Sequence, residues 1–145
     1  MIRLRHIGIT VKDIERSLRF YRDLLDFKII WDKNESGDYI DNFSAIKNIN
    51  VRTVKMIDDQ NNTIELLQYY SHPSSDSICQ ARLITSIGCS HFALTVSHLD
   101  ELQDKLSKEG IRFKSDPQYS PDGNAKITFC QDPDGVLIEL VEIIK

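Results

Sequence analysis

The sequence carries one pattern twice, and this repeat constrains the fold more than any other feature. The segment HIGITV at residues 6–11 is matched by HFALTV at residues 91–96, which lie 85 positions later. The segment IELL at residues 64–67 is matched by IELV at residues 138–141, which lie 74 positions later. Each half opens with a histidine and closes with a glutamate. A repeat of this kind predicts two similar structural units, with the extra length of the first half at residues 33–50.

Hydropathy patterns predict the same order of elements in both halves. The first half shows strand patterns at 4–11, 27–31, 51–57 and 63–70, and helical spacing from an N-cap at Asp13 to Leu25. The second half shows strands at 88–96, 111–113, 125–131 and 136–143, and a helix that Gly110 ends. We therefore predict an α+β fold of two tandem βαβββ modules, at residues 1–70 and 88–145. Residues 71–87 are the predicted linker.

The last two strands of each module are predicted to be joined by a tight turn. Residues 132–135 read Asp-Pro-Asp-Gly, which is a strong turn signal. In the first half Asn61 takes the position of Gly135. Asparagine is a residue that tolerates a positive φ, so the substitution preserves the predicted turn.

Alternation along the strands sorts the side chains into two faces. His6, Gly8 and Thr10 point one way, and the apolar residues between them point to the helix. The same holds for His91, Ala93 and Thr95. In the closing strands Glu65 and Glu139 stand alone among apolar residues. An ionised carboxylate is costly to bury unless it is paired or binds a metal.

The repeat and the alternation together point to a metal centre. If the two sheets face each other, they bring together His6, Glu65, His91 and Glu139. Two imidazoles and two carboxylates suit Ni, Co, Zn, Mn or Fe, and leave positions for substrate oxygens. Taken singly, each histidine also fits a hydrogen-bonded structural role, and each glutamate fits a solvated edge or a salt bridge.

Composition excludes several other classes of protein. The chain has 145 residues, 41% of them hydrophobic and 28% charged, which argues against disorder. Its net charge of −4 argues against a nucleic-acid partner. No apolar run approaches a membrane span, and no secretory signal is visible at the start. Three separated cysteines, Cys79, Cys89 and Cys130, suggest reduced thiols and a cytoplasmic protein.

These motifs carry a resemblance to a known family. Residues 6–21 (HIGITVKDIERSLRFY) and 132–140 (DPDGVLIEL) resemble the first strand and helix and the last hairpin of the vicinal oxygen chelate superfamily. This superfamily is also called the glyoxalase/bleomycin resistance/dioxygenase group. The resemblance spans nearly the whole chain. It implies paired βαβββ modules that form a curved mixed sheet around a metal site, often in a homodimer.

The resemblance also implies an activity. In metal-dependent members the ligands fall at His6, Glu65, His91 and Glu139, with one divalent ion per site. A chain with a histidine or glutamate at all four ligand positions resembles glyoxalase I, which is a lactoylglutathione lyase, and methylmalonyl-CoA epimerase. Both remove a proton α to a metal-bound carbonyl and stabilise an enediolate or enolate. Glu139 and Glu65 are the candidate catalytic bases, and the substrate would be a thiol adduct or an acyl-CoA.

Three alternatives stay open at this stage. The first is the epimerase in place of the lyase. The second is a metal-free protein that binds a small ligand or an antibiotic. The third is a fosfomycin-type transferase or hydrolase, which would need a histidine where Glu65 stands. Residues 33–50, with Tyr39 and Phe43, are expected to form either a surface loop or a lid over the substrate, and we favour the loop.

Overall fold

The computed structural model of the chain describes residues 1–73 and 83–145. It divides into two compact units, Met1–Ser75 and Asp76–Lys145. Each unit contains one of the two modules expected from the repeat. Much of the predicted linker at 71–87, including Cys79, lies outside the described residues.

The first unit contains four strands and two helical elements. A π-helical turn, Arg19–Leu24, directly continues the first helix, α1. The elements in chain order are β1 (Ile7–Thr10), α1 (Ile14–Leu18), β2 (Lys28–Ser36), α2 (Asp38–Ser44), β3 (Asn50–Ile57) and β4 (Thr63–Tyr69).

The second unit repeats this order without a counterpart of α2. Its elements are β5 (His91–Thr95), α3 (Leu99–Lys108), β6 (Gln118–Tyr119), β7 (Ala125–Gln131) and β8 (Leu137–Ile143).

Both units build the same mixed four-stranded sheet. The strand order is β1-β4-β3-β2 in the first sheet and β5-β8-β7-β6 in the second. In each unit the first strand runs parallel to the last strand, and the other neighbours are antiparallel. The last strand therefore lies at the centre of the sheet, directly beside the strand that opens the unit. The predicted α+β fold of two βαβββ modules is confirmed.

The start of α1 follows the sequence prediction. The carboxylate of Asp13 accepts hydrogen bonds from the backbone N–H groups of Glu15 and Arg16, as an N-cap does. The side chain of Gln68 on β4 accepts a further bond from Ile14 N–H at 2.9 Å. These contacts fix the helix on one face of the first sheet.

Alternation places the hydrophobic core between each helix and its sheet. Ile64 and Leu66 of β4 are buried on the side that faces α1, and Ile138 and Leu140 of β8 are buried in the second unit. Arg52 on β3 reaches Glu15 of α1 at 2.6 Å from the same side of its sheet. Glu65 and Glu139 occupy the opposite parity. The predicted assignment of the two faces is confirmed.

The segment at 33–50 is the main difference from the prediction. The prediction of a surface loop is wrong, because β2 continues to Ser36 and α2 follows directly. Ile40 of α2 and Ile49 are buried against Val51 of β3, with Leu67 and Tyr69 of β4 packed beside them. Leu67 shares the sheet face of Glu65, so this segment covers one end of that face.

A second difference lies after α3. The predicted strand at 111–113 is wrong, since Phe113 makes only an isolated bridge to Cys130. The edge strand forms later, at Gln118–Tyr119. Pro117 stands between the two segments, and proline has no N–H with which to extend a ladder of hydrogen bonds.

The turn predictions are confirmed in both halves. Asn61 has a φ of 62° and Gly135 a φ of 87°, so both occupy the left-handed region. Asp58 and Asp132 accept backbone hydrogen bonds within their own turns. Separately, no helix among residues 1–73 and 83–145 is long and apolar enough to cross a membrane.

Candidate metal centre

The first unit brings two predicted ligands together. His6 precedes β1, and Glu65 lies on the neighbouring strand β4. The distance from His6 Nε2 to Glu65 Oε2 is 3.2 Å, and the Glu65 side chain is 14% exposed. This histidine and this glutamate, 59 residues apart in sequence, become neighbours because β1 pairs with β4.

The second unit forms the same pair. The distance from His91 Nε2 to Glu139 Oε2 is 3.4 Å, and the Glu139 side chain is 22% exposed. The two pairs occupy equivalent register positions: Gly8 is opposite Glu65 in the first sheet, and Ala93 is opposite Glu139 in the second. The repeat in the sequence is therefore a repeat of the side-chain geometry.

The spacing within each pair fits a shared cation. With metal–ligand bonds of about 2.1 Å, adjacent ligands lie about 3.0 Å apart in an octahedral site and about 3.4 Å apart in a tetrahedral one. The observed distances of 3.2 and 3.4 Å fall at or between these values. Imidazole nitrogen and carboxylate oxygen also form a donor set that suits Ni, Co, Zn and Mn. The residues present thus fit a divalent metal.

The structure brings the four predicted ligands together as two pairs, one in each unit. Among residues 1–73 and 83–145, no three His, Cys, Asp or Glu side chains form a group that would hold one metal ion. The union of both pairs around a single ion stays a prediction.

The surroundings of His91 hold its ring in place. Ser90 Oγ lies 2.8 Å from His91 Nδ1, which leaves Nε2 directed at Glu139. The ring of Phe129 packs edge-on against the imidazole, with the centroids 5.1 Å apart. A hydrogen bond to the second ring nitrogen is the usual way in which proteins orient a metal-binding histidine. The sequence reasoning did not single out Ser90, although it directly precedes His91.

The surroundings of Glu65 are different. Lys55 lies opposite Glu65 in the register of β3 and β4, and its Nζ is 3.3 Å from Glu65 Oε1. Phe129 holds the corresponding position opposite Glu139 in the second sheet. The two pairs therefore consist of the same residue types but differ in their neighbours, which are charged in one unit and aromatic in the other.

The cysteines divide by burial. Cys130 is buried on the helix side of the second sheet, and burial raises the pKa of its thiol to about 12. Cys89 is exposed and lies two residues before His91. Its segment precedes β5 and lies outside the sheet.

Replacing Gly8 by Ala is expected to raise the free energy of unfolding by about 0.5–1 kcal/mol, since glycine in a strand costs that much relative to alanine. A Cβ at Gly8 would lie 3.6 Å from Leu67 Cδ1 and 3.9 Å from Glu65 Oε2, which are ordinary contacts. The second unit already has Ala93 at the equivalent position. Urea denaturation followed by circular dichroism checks the prediction, and a loss of stability would show that the pair tolerates no added methyl group.

Comparison with known proteins identifies the family. The sequence profile of the Glyoxalase/Bleomycin resistance protein/Dioxygenase superfamily matches residues 3–140. The chain belongs to this superfamily, which is the family that the two modules and their motifs indicated.

Individual relatives are more distant. A probable lactoylglutathione lyase from Synechocystis sp. is 28% identical over 140 residues, which cover 96% of this chain and 94% of that protein. Two plant relatives with lactoylglutathione lyase names are longer, and the chain spans 44% of their length.

Solved structures share the fold. A glyoxalase family protein from Bacillus cereus has a TM-score of 0.90 at 19% identity, covering 100% of this chain and 96% of that one. A mutant fosfomycin resistance protein from Listeria monocytogenes, complexed with Mn(II) and 1S,2S-dihydroxypropylphosphonic acid, has a TM-score of 0.66 at 20% identity. That alignment covers 97% of this chain and 92% of that one.

Proposed function

We propose that this protein is a divalent-metal-dependent lyase or isomerase of the glyoxalase type, similar to lactoylglutathione lyase. The observation that carries the proposal is the recurrence of one His–Glu pair at equivalent sheet positions in both units, with Nε2–Oε2 distances of 3.2 and 3.4 Å. A structural role for a single pair would not require its repetition at the same register. The names of several relatives support the same activity.

The four side chains would hold the metal. His6 and His91 would bind through Nε2, which is the nitrogen that faces the glutamate of each pair. Glu65 and Glu139 would bind through carboxylate oxygens. When bound, the cation supplies positive charge beside the substrate oxygen on which negative charge develops. Two glutamates also balance the charge of a divalent ion.

A glutamate of the same set would move the proton. A carboxylate oxygen removes the proton α to the substrate carbonyl and returns it to the neighbouring carbon, as general acid–base catalysis requires. Lys55 holds Oε1 of Glu65, whereas Glu139 has the uncharged Phe129 opposite it. We therefore assign the base to Glu139 and a mainly ligating role to Glu65.

The substrate class and the assembly belong to the same proposal. The substrate would be a small molecule with a carbonyl beside a removable proton, either a thiol adduct or an acyl-CoA. The protein would act as a homodimer, as the family resemblance implies. The setting would be the cytoplasm, as the three separated cysteines of the sequence suggest.

Metal binding tests the proposal directly. Protein stripped by a chelator is titrated calorimetrically with Ni²⁺, Co²⁺, Zn²⁺ and Mn²⁺. We expect about one ion per chain, in line with a single centre that joins both pairs. The variants Glu65→Gln and Glu139→Gln should each weaken binding by at least about tenfold, because each removes one charge-bearing ligand.

The control is Glu109→Gln, which removes an exposed carboxylate just beyond α3. Its titration should match that of the unmodified protein. Two ions per chain would show that each pair binds alone, and an absence of binding would remove the lyase proposal.

One observation favours a second candidate, a metal-free protein that binds a small ligand. The ammonium of Lys55 already lies 3.3 Å from Glu65, so this carboxylate has a cation within its own unit. This candidate predicts no uptake of metal in the same titration. It also predicts that Glu139→Gln leaves function unchanged.

A further inference from the structure

A cluster of Trp31, Lys33 and Lys55 lies on the sheet face of Glu65. Trp31 is opposite Lys55 in the register of β2 and β3, and Lys33 is opposite Thr53. Lys55 is in turn opposite Glu65 on β4. The alternation of each strand places these side chains on the face away from α1.

The two ammonium groups flank one indole ring. Lys33 Nζ lies 4.2 Å from the centroid of the Trp31 ring, and Lys55 Nζ lies 5.8 Å from it. Trp31 is 39% exposed, and the Lys55 side chain is 33% exposed. The cluster is therefore open to a ligand, and its Lys55 also contacts Glu65 of the first His–Glu pair.

The two lysines differ in their ion pairing, and Glu35, the nearest carboxylate of the same parity on β2, accepts a hydrogen bond from Thr53. Lys55 faces Glu65, but within the described parts of the chain Lys33 has no carboxylate at ion-pair distance. A cation–π contact at an exposed site contributes only about 0.5–1 kcal/mol, so the ring does not replace a counter-ion. The ammonium of Lys33, on the Trp31 ring, is left for an incoming anion.

The second unit shows that the fold does not need Lys55. Phe129 takes the place of Lys55 opposite Glu139 in an otherwise equivalent sheet. Lys55 therefore distinguishes the first His–Glu pair from the second, which is expected if it recognises a substrate group.

We propose that Trp31, Lys33 and Lys55 form a subsite for an oxyanion of the substrate, either a carboxylate or a phosphoryl group. The two ammonium groups bind the oxygens, and the indole packs against the adjoining carbon skeleton. The inference rests on the proposed function and deepens it, because it restricts the substrate to anionic molecules whose charged group lies beside the reacting carbonyl.

Fluorescence provides a direct test, since Trp31 is the only tryptophan in the chain. Metal-free protein is titrated with inorganic phosphate and, separately, with acetate, and sodium chloride at equal ionic strength serves as the salt control. We expect a saturable change in tryptophan emission with at least one of the two anions and not with chloride. The anion that binds more tightly shows whether the subsite prefers a phosphoryl group or a carboxylate.

Two variants test whether the anion that changes the tryptophan emission binds at the two lysines. Lys33→Gln and Lys55→Gln should each weaken anion binding by about tenfold or more, which corresponds to one lost charge-assisted hydrogen bond. Lys114→Gln, which changes an exposed lysine of the second unit, should titrate like the unmodified protein. Melting curves by circular dichroism check that all three variants fold.

The subsite is overturned if emission does not respond, if chloride gives the same response, or if either Lys33→Gln or Lys55→Gln titrates like the unmodified protein. These results are separable from the test of the proposed function. Metal uptake without anion binding would remove the subsite and leave the lyase proposal intact. Anion binding without metal uptake would remove the lyase proposal and retain the subsite.

Discussion

Glu139→Gln is expected to lower kcat by about 10²–10⁴-fold on a hemithioacetal or acyl-CoA substrate, which is the contribution that a positioned general base makes. Glutamine preserves the shape of the side chain but does not accept the proton. Glu139 is only 22% exposed and sits on a central strand, so its orientation is fixed by the sheet. The measurement is the steady-state rate of the metal-loaded variant under saturating substrate.

The controls separate catalysis from folding and from metal loss. Metal content is measured in each sample, and rates are expressed per bound ion. Glu109→Gln should keep full activity, because the position is exposed and distant in sequence from both pairs. Glu65→Gln should lose less activity per bound ion than Glu139→Gln. An unchanged kcat in Glu139→Gln would contradict its assignment as the base.

Leu66→Ala is expected to lower the free energy of unfolding by about 3 kcal/mol, as is typical of truncation at a fully buried leucine. Leu66 is 0% exposed and lies at the centre of the first sheet, between Ile9 of β1 and Val54 of β3. The truncation would leave a cavity on the side that packs against α1. Urea denaturation followed by circular dichroism gives the free energy.

The neighbouring residue provides the matched control. Leu67 lies on the opposite face of the same strand, and it is only partly buried beside Ile40 and Ile49. Leu67→Ala should therefore cost clearly less than Leu66→Ala. Equal losses would contradict the division of β4 into a core face and a ligand face.

Much of the fold could be predicted because alternation and capping are local properties. The burial of Ile64 and Leu66, the cap at Asp13 and the positive φ of Asn61 all follow from residues close together in sequence. The shared order of elements in the two units followed from the repeat, because two copies of one pattern restrict the number of topologies.

Residues 33–50 could not be predicted because their stability comes from distant partners. Asp32 on β2 binds Arg52, and the Arg52 guanidinium holds the pKa of this carboxyl below its usual range. Thr53 on β3 also donates a hydrogen bond across to Glu35 on β2. These cross-strand contacts are not visible in the sequence, where the polar run of β2 is typical of a loop. The same lack of local signal hid α2, whose single buried residue is Ile40.

The candidate site shows the same limit. The four predicted ligands were visible in the sequence because each recurs with its neighbours. Lys55 and Phe129 were not visible, since their importance depends on which residue lies opposite each glutamate. Strand register is set by the whole sheet, so the environment of a ligand is harder to predict than its identity.

The parallel pairing of first and last strands has a consequence for synthesis on the ribosome. His6 meets Glu65 only when β4 docks beside β1, and His91 meets Glu139 only when β8 docks beside β5. Each pair spans a complete unit, and domains generally fold as units from the N-terminus onward during translation. The nascent chain would therefore gain its first histidine–glutamate pair once β4 has emerged from the ribosome, and its second only after β8 has emerged.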